Sequence, residues 1–276
     1  MKKIAIALTA LAALTGTASA ADLAARPYTK APVAVAPVYN WTGLWISGGG
    51  GYGLSQYQHS EFNIGAPFNL VSNGQDAGGK GWLGKVGIGY DYQFMGNFVI
   101  GAFADADWSN IGGQYSINTG GVPGALIGAS NLTGQFKNDW SWSVGGRVGY
   151  VALPGLLTYF NAGFTEAHFK GTNFLDTTAP LAALATGISL GDQTRSGWFV
   201  GGGTEYAVTQ FFPGLFWKNE VRFSEFNNKN NSLVCTVAVG CGLGAVLNQN
   251  SHVFEQKATT ELVYRFNWGG PVVAKY

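Results

Sequence analysis

Asp105 and Asp107 stand two residues apart in "GAFADADWS", and Lys218, Glu220 and Arg222 alternate in "WKNEVRF". At that spacing two carboxyls share one face of a strand, the placement that general acid–base work by a carboxyl pair needs. His59 is followed by Ser60 and Glu61, and Glu166 lies two residues before His168. A nucleophile, a base and an orienting acid must reach one another, but adjacent residues of a strand point opposite ways. His59, His168 and His252 are expected in external connections or at an external strand end. No catalytic constellation results, and the chain is not expected to be an enzyme. The Gly48–Gly51 run lies within a strand pattern and lacks the Lys-Ser/Thr and following helix of a phosphate loop. Cys235 and Cys241 have no His-rich neighbourhood that would suggest zinc. No metal or other cofactor is expected.

The elements that must position these residues are set by composition. Charged residues make up 11% of the 276-residue chain, against roughly 25% in ordinary soluble domains. Hydrophobic residues are only 46%, aromatics reach 14%, and there are 42 glycines. A soluble surface needs charge, whereas a surface bathed in lipid cannot display it. No segment after the first twenty residues offers 18 consecutive apolar residues, so a transmembrane helix is not expected. A closed β-barrel is the other structure that satisfies its backbone in lipid. The near-neutral charge argues against nucleic acid as a partner.

Residues 1–20 read as a secretory signal peptide: Met1-Lys2-Lys3, an apolar run from Ile4 to Leu14, and the small residues Ala18-Ser19-Ala20 before a cleavage site near Ala20. Removing Lys2 and Lys3 leaves 14 basic against 15 acidic residues. Export makes a Cys235–Cys241 disulfide the expected state. Residues 21–40, "ADLAARPYTKAPVAVAPVYN", read as a Pro/Ala-rich periplasmic tether. Residues 41–276 are expected to form the barrel.

Period-two segments place strands at about 42–54, 81–94, 98–109, 139–151, 157–168, 196–208, 216–226 and 256–268. Each is long enough to cross a bilayer when tilted, and their number is even, as in bacterial single-chain barrels. Short connections at 95–97, 152–156 and 209–215 alternate with long ones at 55–80, 110–138, 169–195 and 227–255. Tight periplasmic turns alternating with long external loops is the topology of outer-membrane barrels. The expected fold is therefore all-β: an eight-stranded antiparallel transmembrane barrel with four long external loops.

Within each strand one set of alternate residues is apolar and the other polar. Trp82, Val86, Ile88, Tyr90, Tyr92 and Phe94 oppose Lys85 and Asp91; Trp140, Trp142, Val144, Val148 and Tyr150 oppose Arg147. Glu205 opposes Trp198, Val200, Tyr206 and Val208, and Lys257, Glu261 and Arg265 oppose Leu262, Tyr264, Phe266 and Trp268. A Lys or Arg facing the bilayer midplane costs about 2–4 kcal/mol, so the charges are expected to face the lumen. Lys85, Arg147, Lys218, Arg222, Lys257 and Arg265 then balance Asp91, Asp105, Asp107, Glu205, Glu220 and Glu261. Side chains fill an eight-stranded barrel, so this set reads as a paired polar plug rather than a catalytic pair. Lumenal glycines such as Gly87, Gly89, Gly145, Gly149, Gly201 and Gly203 are expected to make room for it. Aromatics near strand ends, Trp82, Phe94, Trp108, Trp140, Tyr150, Trp217 and Trp268, fit interfacial girdles.

"YNWTGLWISGGGGYG" (39–53), "SVGGRVGY" (143–150), "GWFVGGGTEYAV" (197–208) and "YRFNWGGPVVAKY" (264–276) resemble the alphaproteobacterial small outer-membrane barrel proteins. That porin family is similar in architecture to the OmpA-type transmembrane domain. The resemblance implies an outer-membrane location among lipids and lipopolysaccharide, and insertion by the barrel-assembly machinery through a C-terminal aromatic, Trp268 or Tyr276. The expected function is structural, contributing to envelope integrity. The alternatives are a narrow passive porin for small solutes, or a surface receptor or adhesin binding haem or a host molecule through its loops. The apolar stretches "VCTVAVGCGLGAVL" (234–247) and "APLAALATGISL" (179–190) bear on the last of these. They either pack over the mouth or extend the strands as short hairpins, or they form an adhesive external surface.

Overall fold

The computed structural model describes residues 39–64, 70–118, 131–177, 184–208, 212–236 and 244–266. The expected signal peptide, residues 21–38 of the tether, Cys241, Trp268 and Tyr276 lie outside them. The strands are β1 (Gly43–Asn63), β2 (Leu70–Phe94), β3 (Phe98–Asn118), β4 (Asn131–Leu153), β5 (Leu156–Lys170), β6 (Thr172–Asp176), β7 (Leu184–Leu190), β8 (Gln193–Ala207), β9 (Leu215–Cys235) and β10 (Gly244–Phe266). Every pairing is antiparallel, and the order β1-β2-β3-β4-β5-β8-β9-β10 closes on itself because β10 pairs with both β9 and β1. Closure removes the unpaired edges that a membrane would not tolerate.

One end of the ring carries tight turns, among them Met95-Gly96-Asn97 and Pro154-Gly155. The other carries long hairpins. Segments 55–80, 110–138, 169–195 and 227–255, expected as loops, are mostly strand among the described residues. The period-two pattern does not stop where the apolar face stops, because strands that leave the lipid still bury one face against each other. Beyond β5 and β8 the wall is continued by β6, which pairs with β4, and β7, which pairs with β9. The described parts of the two apolar stretches thus extend the strands, Leu184–Leu190 as β7, Val234 and Cys235 at the end of β9, and Gly244–Leu247 at the start of β10.

Alternation decides the faces. Trp82 is 71% exposed while Lys85 is 4% exposed, and Val86, Ile88, Tyr90 and Tyr92 follow Trp82 outward. In the hairpin half Tyr57, Ile117, Leu132, Phe136, Phe174, Leu233, Leu247 and Val253 are buried together and form an apolar core beside inward polar residues such as Glu61, Arg195 and Gln249. A second core of Trp41, Trp45, Phe103, Tyr159, Phe199 and Phe216 shares the lumen with the charges at the turn end.

One ladder is incomplete. β2 and β3 pair from Phe94–Phe98 only as far as Lys80–Gly112. Yet β1–β2 pairing continues to Phe62–Leu70 and β3–β4 pairing to Asn118–Asn131. The β1–β2 and β3–β4 hairpins therefore part company in the hairpin half.

Candidate functional site

All twelve lumenal charges named from the sequence are buried, and they meet in three layers. At the turn end Arg147 Nε donates to Asp91 Oδ1 at 2.8 Å and its Nη1 to Glu205 Oε2 at 3.3 Å. Arg265 joins the same two acids, with Nε 2.8 Å from Glu205 Oε1 and Nη1 2.7 Å from Asp91 Oδ2. Arg147 also stacks 4.6 Å from the Trp45 ring centre, and Arg265 lies 4.8 Å from that of Trp41.

The middle layer holds three cations and three acids. Lys85 Nζ lies 2.9 Å from Glu220 Oε1 and 3.4 Å from both Asp105 and Glu261. Lys218 Nζ lies 2.7 Å from Glu261, whose Oε2 also accepts from Ser47 at 2.6 Å. Arg222 forks onto Asp105 at 3.0 and 2.7 Å and reaches Glu220 at 2.8 Å. Glu220 accepts further bonds from Tyr159 and Asn161. β9, which carries Arg222, and β3, which carries Asp105, are opposite members of the ring, with three strands between them either way round. Their direct contact spans the lumen.

In the layer nearest the hairpins Lys257 Nζ lies 3.0 Å from Asp107 Oδ1 and 3.3 Å from Glu255. Ser141 bridges Lys257 and Asp107, and Asn138 on the opposite wall donates to both oxygens of Glu255. Such partnership is what makes buried charge tolerable, since an unpaired buried ion costs several kcal/mol. Sequence reasoning missed Glu255 and Arg195. Each sits one residue outside an expected strand, and carrying the alternation one step further places both inward.

Glycines make the close approaches, and they make room for rings as much as for charges. A methyl on Gly89 would stand 2.4 Å from the Trp45 ring, and one on Gly101 would stand 2.0 Å from Asp91 Oδ1.

The three histidines are strand residues: His59 in β1, His168 in β5 and His252 in β10. This corrects the expected place of His59 and His252 in external connections, for the same reason that the strands outrun the lipid, whereas His168 lies near the end of its strand as expected. His168 Nδ1 bonds Asp139 at 2.6 Å, just beyond the Trp140 girdle position. Burial alone would raise the Asp139 carboxyl, but the His168 hydrogen bond and the His168 and Lys170 charges outweigh it and hold the group below the ordinary range. His59 is fully enclosed, its Nδ1 2.7 Å from Glu61 Oε1, which also accepts from Gln249. Glu166 accepts from the indole N–H of Trp142 at 3.2 Å. Cys235 ends β9 and is buried; its expected partner lies outside the described residues.

No protein-family model matches the chain. The sequence is 28% identical over 227 residues to the 31 kDa outer-membrane immunogenic protein of Brucella melitensis, covering 82% of this chain and 88% of that protein. It is 27% identical over 241 residues to the 25 kDa outer-membrane immunogenic protein of Brucella abortus, covering 86% and 90%.

The chain is an outer-membrane β-barrel protein.

The barrel protein is also 28% identical over 199 residues to the 22 kDa outer membrane protein of Rhizobium leguminosarum, covering 72% of this chain and 71% of that one. Its homologues are thus alphaproteobacterial outer-membrane proteins. Among solved structures it is similar to the outer membrane protease OmpT from Escherichia coli, with a TM-score of 0.46 and 13% identity, covering 80% and 97% of the two chains. It is similar too to the outer membrane protein OprG from Pseudomonas aeruginosa, with a TM-score of 0.44 and 12% identity, covering 82% and 98%.

Proposed function

We propose that this barrel is a structural component of the outer membrane whose lumen is closed by its own ion-paired side chains. The observation that carries the reading is the Arg222–Asp105 contact between opposite walls, with Lys85, Glu220, Lys218 and Glu261 packed around it. A hydrated solute would have to break those bonds to pass. The set neutralises itself, presents no unpaired nucleophile, and serves stability rather than turnover. In this reading the protein acts without cofactor or catalysis, and its partners are outer-membrane lipids, lipopolysaccharide and the barrel-assembly machinery. Cleavage near Ala20 frees a tether on the periplasmic side, and a Cys235–Cys241 disulfide closes the tip of the β9–β10 hairpin. A deletion strain tests the proposal. It should become more sensitive to detergent and to a hydrophobic dye, and complementation should restore resistance without speeding uptake of small sugars. Restored solute uptake with unchanged detergent sensitivity would overturn it.

A further inference from the structure

Residues 39–42 precede β1 and lie outside the sheet, since the first ladder pairs of β1 are Gly43 with Asp91 and Leu44 with Phe266. Gly43 has a φ of 143°, a conformation that residues with a side chain rarely adopt. At that bend the chain leaves the wall and crosses the turn-end mouth. Trp41 is fully buried there, its ring centre 4.9 Å from that of Phe216 in β9 and 4.8 Å from the Arg265 guanidinium carbon in β10. Tyr39 meets Phe216 edge to face at 6.3 Å and packs against Gly155, where an added methyl would stand 3.0 Å from the Tyr39 ring. Gly155 lies in the turn before β5, and β5 stands opposite β1 in the ring. Four residues thus form a strap across the mouth, from one wall to the opposite one.

The strap is fastened by hydrogen bonds that belong to no ladder. The Trp41 N–H donates to Gln93 Oε1 at 2.9 Å, and the Gln93 N–H donates to Thr42 Oγ1 at 2.9 Å. The Gln93 side-chain amide also donates to the Gly96 carbonyl, so one side chain ties the strap to the β2–β3 turn. Arg265 Nη1 donates to the Trp41 carbonyl at 3.0 Å while the same guanidinium holds Asp91 and Glu205. The underside of the strap therefore covers the first charged layer directly. Opening these bonds leaves every strand pair of the ring in place, and a pull on the chain before Tyr39 reaches them before it reaches the sheet. We propose that residues 39–42 are a hinged lid on the periplasmic mouth, which lifts at Gly43 and admits water to the Arg147–Arg265 layer while the middle layer stays shut. The lid rests on the closed-lumen reading, because without a shut layer behind it the same motion would open a pore.

Cysteine reporters test the lid in full-length protein carrying Cys235→Ser and Cys241→Ser, labelled with a small water-soluble methanethiosulfonate. Leu157→Cys reports on the first layer from the β5 wall, where Leu157 is buried and paired with Glu205. Ser143→Cys reports on the middle layer, where Ser143 is buried and paired with Asp105. Position 157 should label at least tenfold faster when Gly43→Ala strains the hinge, and likewise when Gln93→Ala removes the fastening. Position 143 should stay as slow as in the parent in both. Trp41 is kept in each variant, so loss of its packing does not account for a faster rate. Parent rates at position 157 in both variants, or equal acceleration at the two positions, would overturn the lid. Fast labelling of position 143 in the parent would overturn the closed lumen, and the lid with it, which tells the two failures apart.

Discussion

Arg222→Met cuts the ion pair that crosses the lumen while keeping a long apolar stem. Met retains contact with Phe199, whose ring centre lies 4.2 Å from the guanidinium carbon. The change removes three hydrogen bonds, two to Asp105 and one to Glu220. It leaves Lys85 and Lys218 against Asp105, Glu220 and Glu261, one net negative charge in a buried layer. Removing one partner of a buried pair costs about 3–5 kcal/mol. Here Lys85 still stands 3.4 Å from Asp105 and 2.9 Å from Glu220, so the lower end, about 3 kcal/mol, is expected. Adding Asp105→Asn removes the surplus charge, and the double variant should recover about 1–2 kcal/mol relative to the sum of the singles. Urea unfolding in lipid vesicles, read by tryptophan fluorescence, measures all four members of the cycle. If Arg222→Met falls within about 1 kcal/mol of wild type, or the cycle is additive, the charges do not act as one network and the reasoning fails.

Gly101→Ala drives a methyl to 2.0 Å from Asp91 Oδ1 and should cost about 1–3 kcal/mol by overpacking. Gly84→Ala, which meets nothing within 4 Å on the outer face, should stay within about 0.5 kcal/mol; equal unfolding midpoints for the two would contradict this. Cys235 and Cys241 should resist alkylation until reduced, and Cys235→Ser should lose about 2 kcal/mol by the loop-entropy argument; mass spectrometry of unreduced protein that shows two alkylated thiols would refute it. Asp139 has a lowered folded-state pKa, so its pairing stabilises fully above the ordinary aspartate value of about 4 and fades as pH falls through the lowered one. In His168→Gln the Asp139 carboxyl resonance should titrate at higher pH than in wild type, and an unchanged titration would remove the hydrogen bond as the cause.

Period two made the ring legible in the sequence because lipid and lumen impose opposite demands on alternate residues. Trp82 against Lys85 and Tyr90 against Asp91 can be assigned to faces without coordinates. The hairpin half was harder. Above the lipid both faces can carry polar groups, so "SQYQHSEFN" (55–63) reads as a loop although Tyr57, His59 and Glu61 continue the inward row of Trp45 and Ser47. The acids and bases of the lumen could be named in advance, but their partners could not. Which cation meets which acid depends on strand tilt and ring size, and this sets Arg222 against Asp105 rather than a neighbour in its own ladder. The early end of the β2–β3 ladder had no local signal. It follows from the two hairpins each completing their own pairing.

Conductance across a planar lipid bilayer tests the closed lumen most directly. Purified wild-type protein should give no reproducible current steps, whereas a triple Asp105→Ala/Glu220→Ala/Arg222→Ala variant, if it inserts, should give small discrete ones. Discrete steps from the wild-type barrel, unchanged in size by that variant, would contradict the account.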